Sequence, residues 1–267
     1  MIRRPPRSTQ GVSSAASDVY KRQEDMLPED RWIQSIEYRN GPAVHHIVGG
    51  VGGLVPGAKP RIYEEGYGRL LRSGPREIMF NMHYNKEPGP GTGVCSNIKA
   101  GITFKKDGDV IHHVTGGDQL WMNPASLLIP AGDPSYSQSI EYEFEEEVEI
   151  LSFMPHMHLR GKAALYEITY TDGRHETLLH VPKYEFNWQH SYAFREPVLA
   201  PKGSVLRVTL WWDNSEDNPN NPDPSIDVRW GRPTHAEMSQ GYMSFQTLDE
   251  RHIVVGEPLP EDLRVRR

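Results

Sequence analysis

Cysteine is nearly absent: the 267 residues contain one, Cys95. A single thiol excludes an internal disulfide, and without a second Cys there is no thiolate cage for a metal. Compartment stays open on this count, because a large-cored protein in an oxidising compartment also manages without disulfides. Long apolar runs are missing too; none approaches the ~18 residues that a membrane helix needs. No stretch sustains a helical period, which excludes a bundle or coiled coil, and there is no internal repeat or low-complexity tract. Positive charge is in deficit, with 29 Lys and Arg against 36 Asp and Glu, a net charge of -7. Residues 1–23 hold five of those basic residues and one acid, so the rest of the chain carries -11. That balance argues against nucleic acid as a partner.

What is present reads as strands and turns. Gly (24) and Pro (22) are frequent and aromatic residues recur, which suits short strands joined by many turns. "SIEYEFEEEVEILSFM" (139–154) sets Ile140, Tyr142 and Phe144 against Glu141, Glu143 and Glu145, then resumes with Val148 and Ile150. "AALYEITYTDGRHETLLHV" reads as two strands about an Asp172-Gly173 turn. "SVLRVTLWWDN" (204–214) and "SQGYMSFQTL" (239–248) add strands, and "NSEDNPNNPDPS" between them is a loop. The pattern predicts an all-β, antiparallel architecture of two jelly-roll-like β-sandwich domains. The boundary is expected in "LLIPAGDPSYSQ" (127–138), giving domains at 24–135 and 136–250 and a tail at 251–267.

Residues 1–23, "MIRRPPRSTQGVSSAASDVYKRQ", have no apolar core for a secretory signal, although their basic, Ser-rich make-up suits a transit peptide or an arm. Reverse translation points elsewhere: "MIRRPPRST" resembles the first codons of a sequencing flow-cell adapter and "SSAASDVYKRQ" the transposon adapter that follows it. The expectation is that this segment stands apart from the fold, that the biological start lies elsewhere, and that the first sandwich is N-terminally truncated.

Histidines carry the chemistry. In "MPHMHLRGK", His156 and His158 stand at i and i+2, which on a strand puts both imidazoles on one face, able to chelate one ion. Two half-exposed surface histidines, a zinc site and a cupin-like site compete with that reading. The cupin pattern wants a Glu shortly after the second His, and here Arg160, Gly161 and Lys162 follow. In "AVHHIVGG", His45 and His46 point to opposite faces of a regular strand and reach one ion only where the strand is bent or bulged, a departure that Gly49 and Gly50 ease. "FNMHYN" adds His83, and "VIHHV" adds His112 and His113. Spacing alone leaves open which doublet binds.

These motifs, in this order over residues 26–250, resemble the copper type II, ascorbate-dependent monooxygenases, the family of peptidylglycine α-hydroxylating and dopamine β-monooxygenases, and within it uncharacterised bacterial relatives. The resemblance implies one copper held by His45, His46 and His83 and a second, catalytic copper held by His156, His158 and, in "THAEMSQGYMSF", Met238; His112 and His113 match no role. It implies reduction of both coppers by ascorbate or another one-electron reductant, use of O2 at the His156/His158/Met238 site, and hydroxylation of an activated C–H bond of a small molecule. Two imidazoles and a thioether suit both Cu(I) and Cu(II) and leave room for O2, whereas three imidazoles suit a copper that stores and passes an electron. The animal members are disulfide-rich, and this chain departs from them in having only Cys95.

Three more positions take substrate roles from the resemblance. Tyr242 matches a substrate-binding Tyr of the peptide-amidating members, Gln240 stands where they have Asn, and Met154 replaces the Arg with which they read a peptide carboxylate. A peptide C-terminus is therefore not the expected substrate, and Arg160 is the substitute candidate for binding an anion. The resemblance also implies a periplasmic or secreted location. The rival from another class is a copper- or carbohydrate-binding β-sandwich without catalysis; a zinc hydrolase ranks third, because Met is a poor zinc ligand.

Overall fold

The computed structural model describes residues 19–39, 44–49, 52–54, 60–84, 98–121 and 124–264. The first half supplies β1 (Val19–Leu27), β2 (Arg31–Arg39), β3 (Val44–Gly49), β4 (Gly52–Leu54), β5 (Arg61–Ile62), β6 (Gly66–Leu71), β7 (Gly74–Tyr84), β8 (Lys99–Phe104) and β9 (Val110–Trp121). The second supplies β10 (Leu128–Ile129), β11 (Tyr136–Glu143), β12 (Val148–His156), β13 (Gly161–Thr169) and β14 (His175–Val181). It continues with β15 (Tyr192–Ala200), β16 (Val205–Trp212), β17 (Val228–Arg229), β18 (Gln240–Thr247) and β19 (Ile253–Val254). The chain is thus an all-β sandwich protein.

The C-terminal sandwich packs the sheet β11-β16-β13-β14 on β15-β12-β18, which form one end of a nine-stranded sheet. Leu206, Val208, Leu210 and Trp212 alternate along β16 and are fully buried, as are Ala164, Tyr166 and Ile168 along β13. They face Ile150 and Phe153 of β12, and the Phe153 ring stacks on Tyr166 with centroids 4.4 Å apart. Each such side chain contributes ~1.5–3 kcal/mol over leaving it in water, which is why strict alternation fixes the register. The hairpin expected at Asp172-Gly173 joins β13 to β14, with Gly173 in the left-handed region at φ 84°.

Within the expected boundary segment 127–138, Leu127 and Ile129 are buried in the C-terminal core, and β10 pairs with β17. β9 pairs through its first half with β6 and β19 and through Thr115–Trp121 with β18. In the expected tail, Ile253 and Val255 are buried against Trp32 and Ile111. Not all of 1–23 stands apart: residues 1–18 lie outside the described residues, but Val19–Gln23 continue Glu24–Leu27 as β1, paired with β7 from Val19↔Met82 to Leu27↔Gly74. Backbone N–H and C=O groups along a strand edge template such pairing whatever the segment's origin, and Val-Tyr suits it.

The nine-stranded sheet is curled. In its order β15-β12-β18-β9-β6-β2-β5, three strands separate β18 from β5, ~19 Å in a flat sheet. Yet the Arg61 guanidinium on β5 donates to Ser244 Oγ on β18 at 3.2 Å. Register shifts at Ile150/Ser152, Ile33/Ser35 and Gly66/Tyr67 supply bends of the kind bulges impose. On β18, Met243 and Gly241 face the sandwich core, where a Cβ on Gly241 would meet the Tyr166 hydroxyl at 3.2 Å. By alternation Gln240, Tyr242 and Ser244 lie on the other, concave face.

Candidate metal centre

β12 and β18 pair antiparallel, Met154 opposite Tyr242 and His156 opposite Gln240. Two residues beyond that last pair stand His158 on one chain segment and Met238 on the other. The regular strand ends at His156, but alternation persists: Met157 is fully buried in the core while His156 and His158 turn to the opposite side. Their rings are perpendicular with centroids 5.5 Å apart. His156, His158 and Met238 are 5%, 4% and 5% exposed, so water has little access to them.

Each imidazole is oriented through Nδ1. His158 Nδ1 lies 3.0 Å from the Ala236 carbonyl, and His156 Nδ1 lies 2.6 Å from Gln189 Oε1. The Ala236 carbonyl can only accept, so His158 Nδ1 carries the proton and its Nε2 the lone pair; His156 takes the same tautomer with Gln189 Oε1 as its acceptor. That is the tautomer a metal-binding His needs, held by the outer hydrogen bond that accompanies such ligands. Among the described residues no three His, Cys, Asp or Glu side chains gather to hold an ion. His156 and His158 stand together, and Met238 lies two residues before Gln240, the strand partner of His156; two imidazoles with a thioether would suit copper and suit zinc poorly.

Glu237 locks the segment between the two histidines and Met238. Its Oε2 accepts the His158 N–H at 2.8 Å and its Oε1 the Arg160 N–H at 2.7 Å, and the Met238 N–H also bonds to it. Burial pushes the Glu237 carboxyl up to about 7, against those hydrogen bonds and the nearby Arg160 charge, which pull it down. The loop 182–191 closes the other side. The Tyr184 hydroxyl donates to the Met157 carbonyl at 2.8 Å and accepts its N–H at 3.1 Å, and Phe186 stands edge-on to His158 at 6.1 Å. Gly161 makes this possible: a Cβ there would sit 2.6 Å from the Tyr184 ring. Tyr184 and Phe186 are buried in this packing, whereas Trp188 is 57% exposed.

Arg160 is corrected. It is fully buried, with Nε donating to Asn214 Oδ1 at 2.7 Å and Nη1 to the His235 carbonyl at 2.8 Å. A guanidinium committed in this way ties the 213–223 loop to the site and does not meet a substrate anion from solvent. Tyr242 and Gln240 do lie beside His156: the Tyr242 ring centroid is 6.5 Å from that of His156, and its hydroxyl donates to Gln240 Oε1 at 2.9 Å.

In the N-terminal sheet, backbone pairing sets His46 directly opposite His83, and the register shifts between Val44 and His46. His45 is therefore the extra residue of a bulge, the departure that an adjacent pair requires to share an ion. The side chains of His45, His46 and His83 lie outside the described part of the structure. The other doublet is engaged elsewhere: His112 Nδ1 is 2.9 Å from the Arg251 carbonyl, and His113 stacks on Tyr67 at 4.9 Å.

Sequence reasoning missed Gln189, Glu237 and the Ala236 carbonyl. Each meets its histidine across 33, 79 or 78 residues of chain, and no local pattern marks such a contact. Among the described residues no helix is long and apolar enough to cross a membrane.

No protein-family model and no curated protein matches the chain. Among solved structures, the infectious bursal disease virus VP2 subviral particle is similar at 10% identity and a TM-score of 0.26, over 83% of this chain and 58% of that one. The infectious bursal disease virus Gt strain structure is similar at 9% identity and a TM-score of 0.20, over 85% and 65%. The chain thus spans less than two thirds of those capsid chains, and likeness at these scores bears on neither fold nor function.

Proposed function

We infer that the chain is a copper-dependent monooxygenase that hydroxylates an activated C–H bond with O2 and an ascorbate-like reductant. The observation that carries this reading is the pair of Nδ1 hydrogen bonds to Gln189 and Ala236, which orient the His156 and His158 rings in a buried site and suit metal binding through Nε2. His156, His158 and Met238 would hold the catalytic copper, and His45, His46 and His83 an electron-transfer copper, for which the bulge at His45 is the support. Bound copper supplies one-electron chemistry with O2. The chain's own residues do the rest. Gln189 and the Ala236 carbonyl fix the two ring planes, Glu237 fixes the backbone between the ligands, and burial excludes bulk water. Tyr242 and Gln240, joined by their hydrogen bond, form a polar wall beside His156 where substrate would lie.

The direct test loads the protein with copper and follows ascorbate-driven O2 consumption together with oxygen incorporation into a C–H substrate library. Coupled turnover is expected; its absence across the library, with both coppers bound, favours a copper-binding module without catalysis. Gln189→Leu is expected to weaken copper binding at one site by ~10- to 100-fold, the usual effect of losing a ligand's outer hydrogen bond. Competitive chelator titration measures it, and unchanged affinity at both sites would mean Gln189 does not position His156.

A further inference from the structure

The concave face of β12 and β18 carries a polar strip leading away from the proposed metal site. Cross-strand rows run from His156 and Gln240, through Met154 and Tyr242, to Ser152 and Ser244. Met154 and Tyr242 are half-buried, and the other polar members are enclosed: Gln240 is 3% exposed, Ser152 7% and Ser244 8%. At the last row Ser244 pairs with Gly117 of β9. Into that end reaches Arg61 from β5, bonded to Ser244 at 3.2 Å through the curl of the sheet. Its charge has no carboxylate within 4 Å among the described residues, although the chain is net acidic. Arg160, by contrast, is spent on buried carbonyl groups. Arg61 is solvent-exposed, and a cation with no ion-pair partner among the described residues at the solvent-facing end of this strip is suited to a ligand's anion.

We propose that Arg61, seated on Ser244, reads an anionic group of the substrate. The substrate is then an elongated molecule whose carboxylate or phosphate lies on the order of 10 Å from the carbon presented at the metal site, since four residue steps of ~3.4 Å lead from Gln240 to Ser244. This rests on the reading of His156, His158 and Met238 as the reaction centre, but its anion-binding half does not need copper. Metal-free protein titrated calorimetrically with octanoate, octanamide and octyl phosphate therefore tests it separately. Octanoate is expected to bind about 10-fold or more tighter than octanamide, as a charge-assisted contact gives. Arg61→Gln should abolish that preference and Arg61→Lys keep part of it. Tighter binding of octyl phosphate than octanoate assigns a phosphate, and the reverse a carboxylate. Equal affinity for acid and amide in the wild type, or a preference that survives Arg61→Gln, overturns the proposal. If the preference holds but copper-loaded protein turns nothing over, the anion site stands and the monooxygenase reading falls.

Discussion

Met238→Ile is expected to lower coupled O2 consumption more than ~100-fold, because losing a ligand exceeds the 10- to 100-fold typical of losing only an outer hydrogen bond. The same substitution should change stability by less than ~1.5 kcal/mol, since the volume is nearly conserved. The contrast separates two roles for a methionine that is 5% exposed and precedes a largely buried strand. A core methionine would give a small effect on both measurements, and a ligand gives a large effect on turnover alone. Rates under ascorbate and urea unfolding of the metal-free protein, on the same preparations, decide between them. Activity within a few-fold of wild type would remove Met238 from the site.

The largest effect on stability is expected at Glu237, the fully buried acid that no local pattern singled out. Glu237→Leu leaves the N–H groups of His158, Arg160 and Met238 without their acceptor and the buried Arg160 without the stronger of the two carboxylates, Glu237 and Asp223, that favour its charge. An unsatisfied buried donor costs ~1–3 kcal/mol, and a buried charge stripped of its partner ~3–5 kcal/mol. A loss of at least ~4 kcal/mol follows, which for a chain of this size lowers Tm by roughly 8–16 °C. Glu237→Gln keeps an acceptor oxygen and should lose about half as much. Differential scanning calorimetry of the metal-free variants measures both; a Glu237→Leu loss under ~1 kcal/mol would mean that this carboxylate does not hold the segment.

What was legible in the sequence follows the range of the interactions. Strands such as β11, β13 and β16 write their buried face into every second residue, and the Asp172-Gly173 turn joins neighbours in sequence, so both could be read directly. The i, i+2 spacing of His156 and His158 is local in the same way, and so is the need for a bulge at His45 and His46. The partners of those histidines are not local. Gln189 sits in a loop that composition marks only as aromatic, and Glu237 differs from exposed glutamates only in where the chain buries it. Arg160 shows the same limit from the other side: beside the HxH pair it reads as a cation for a ligand, and only the fold reveals that Asn214 and the His235 carbonyl consume it. The 127–138 segment has a related limit: a Gly/Pro-rich stretch signals a turn whether or not its Leu127 and Ile129 are buried, and only the fold shows that they are and that β9 pairs with both β6 and β18.

The central claim is the paired copper sites, one of them containing sulfur, and the most direct measurement is copper stoichiometry with X-ray absorption on the Cu(I)-loaded protein. Two coppers per chain are predicted, with a sulfur scatterer that disappears in Met238→Ile and one copper lost in His156→Ala. One copper or none in the wild type, or a spectrum without sulfur, would contradict the account.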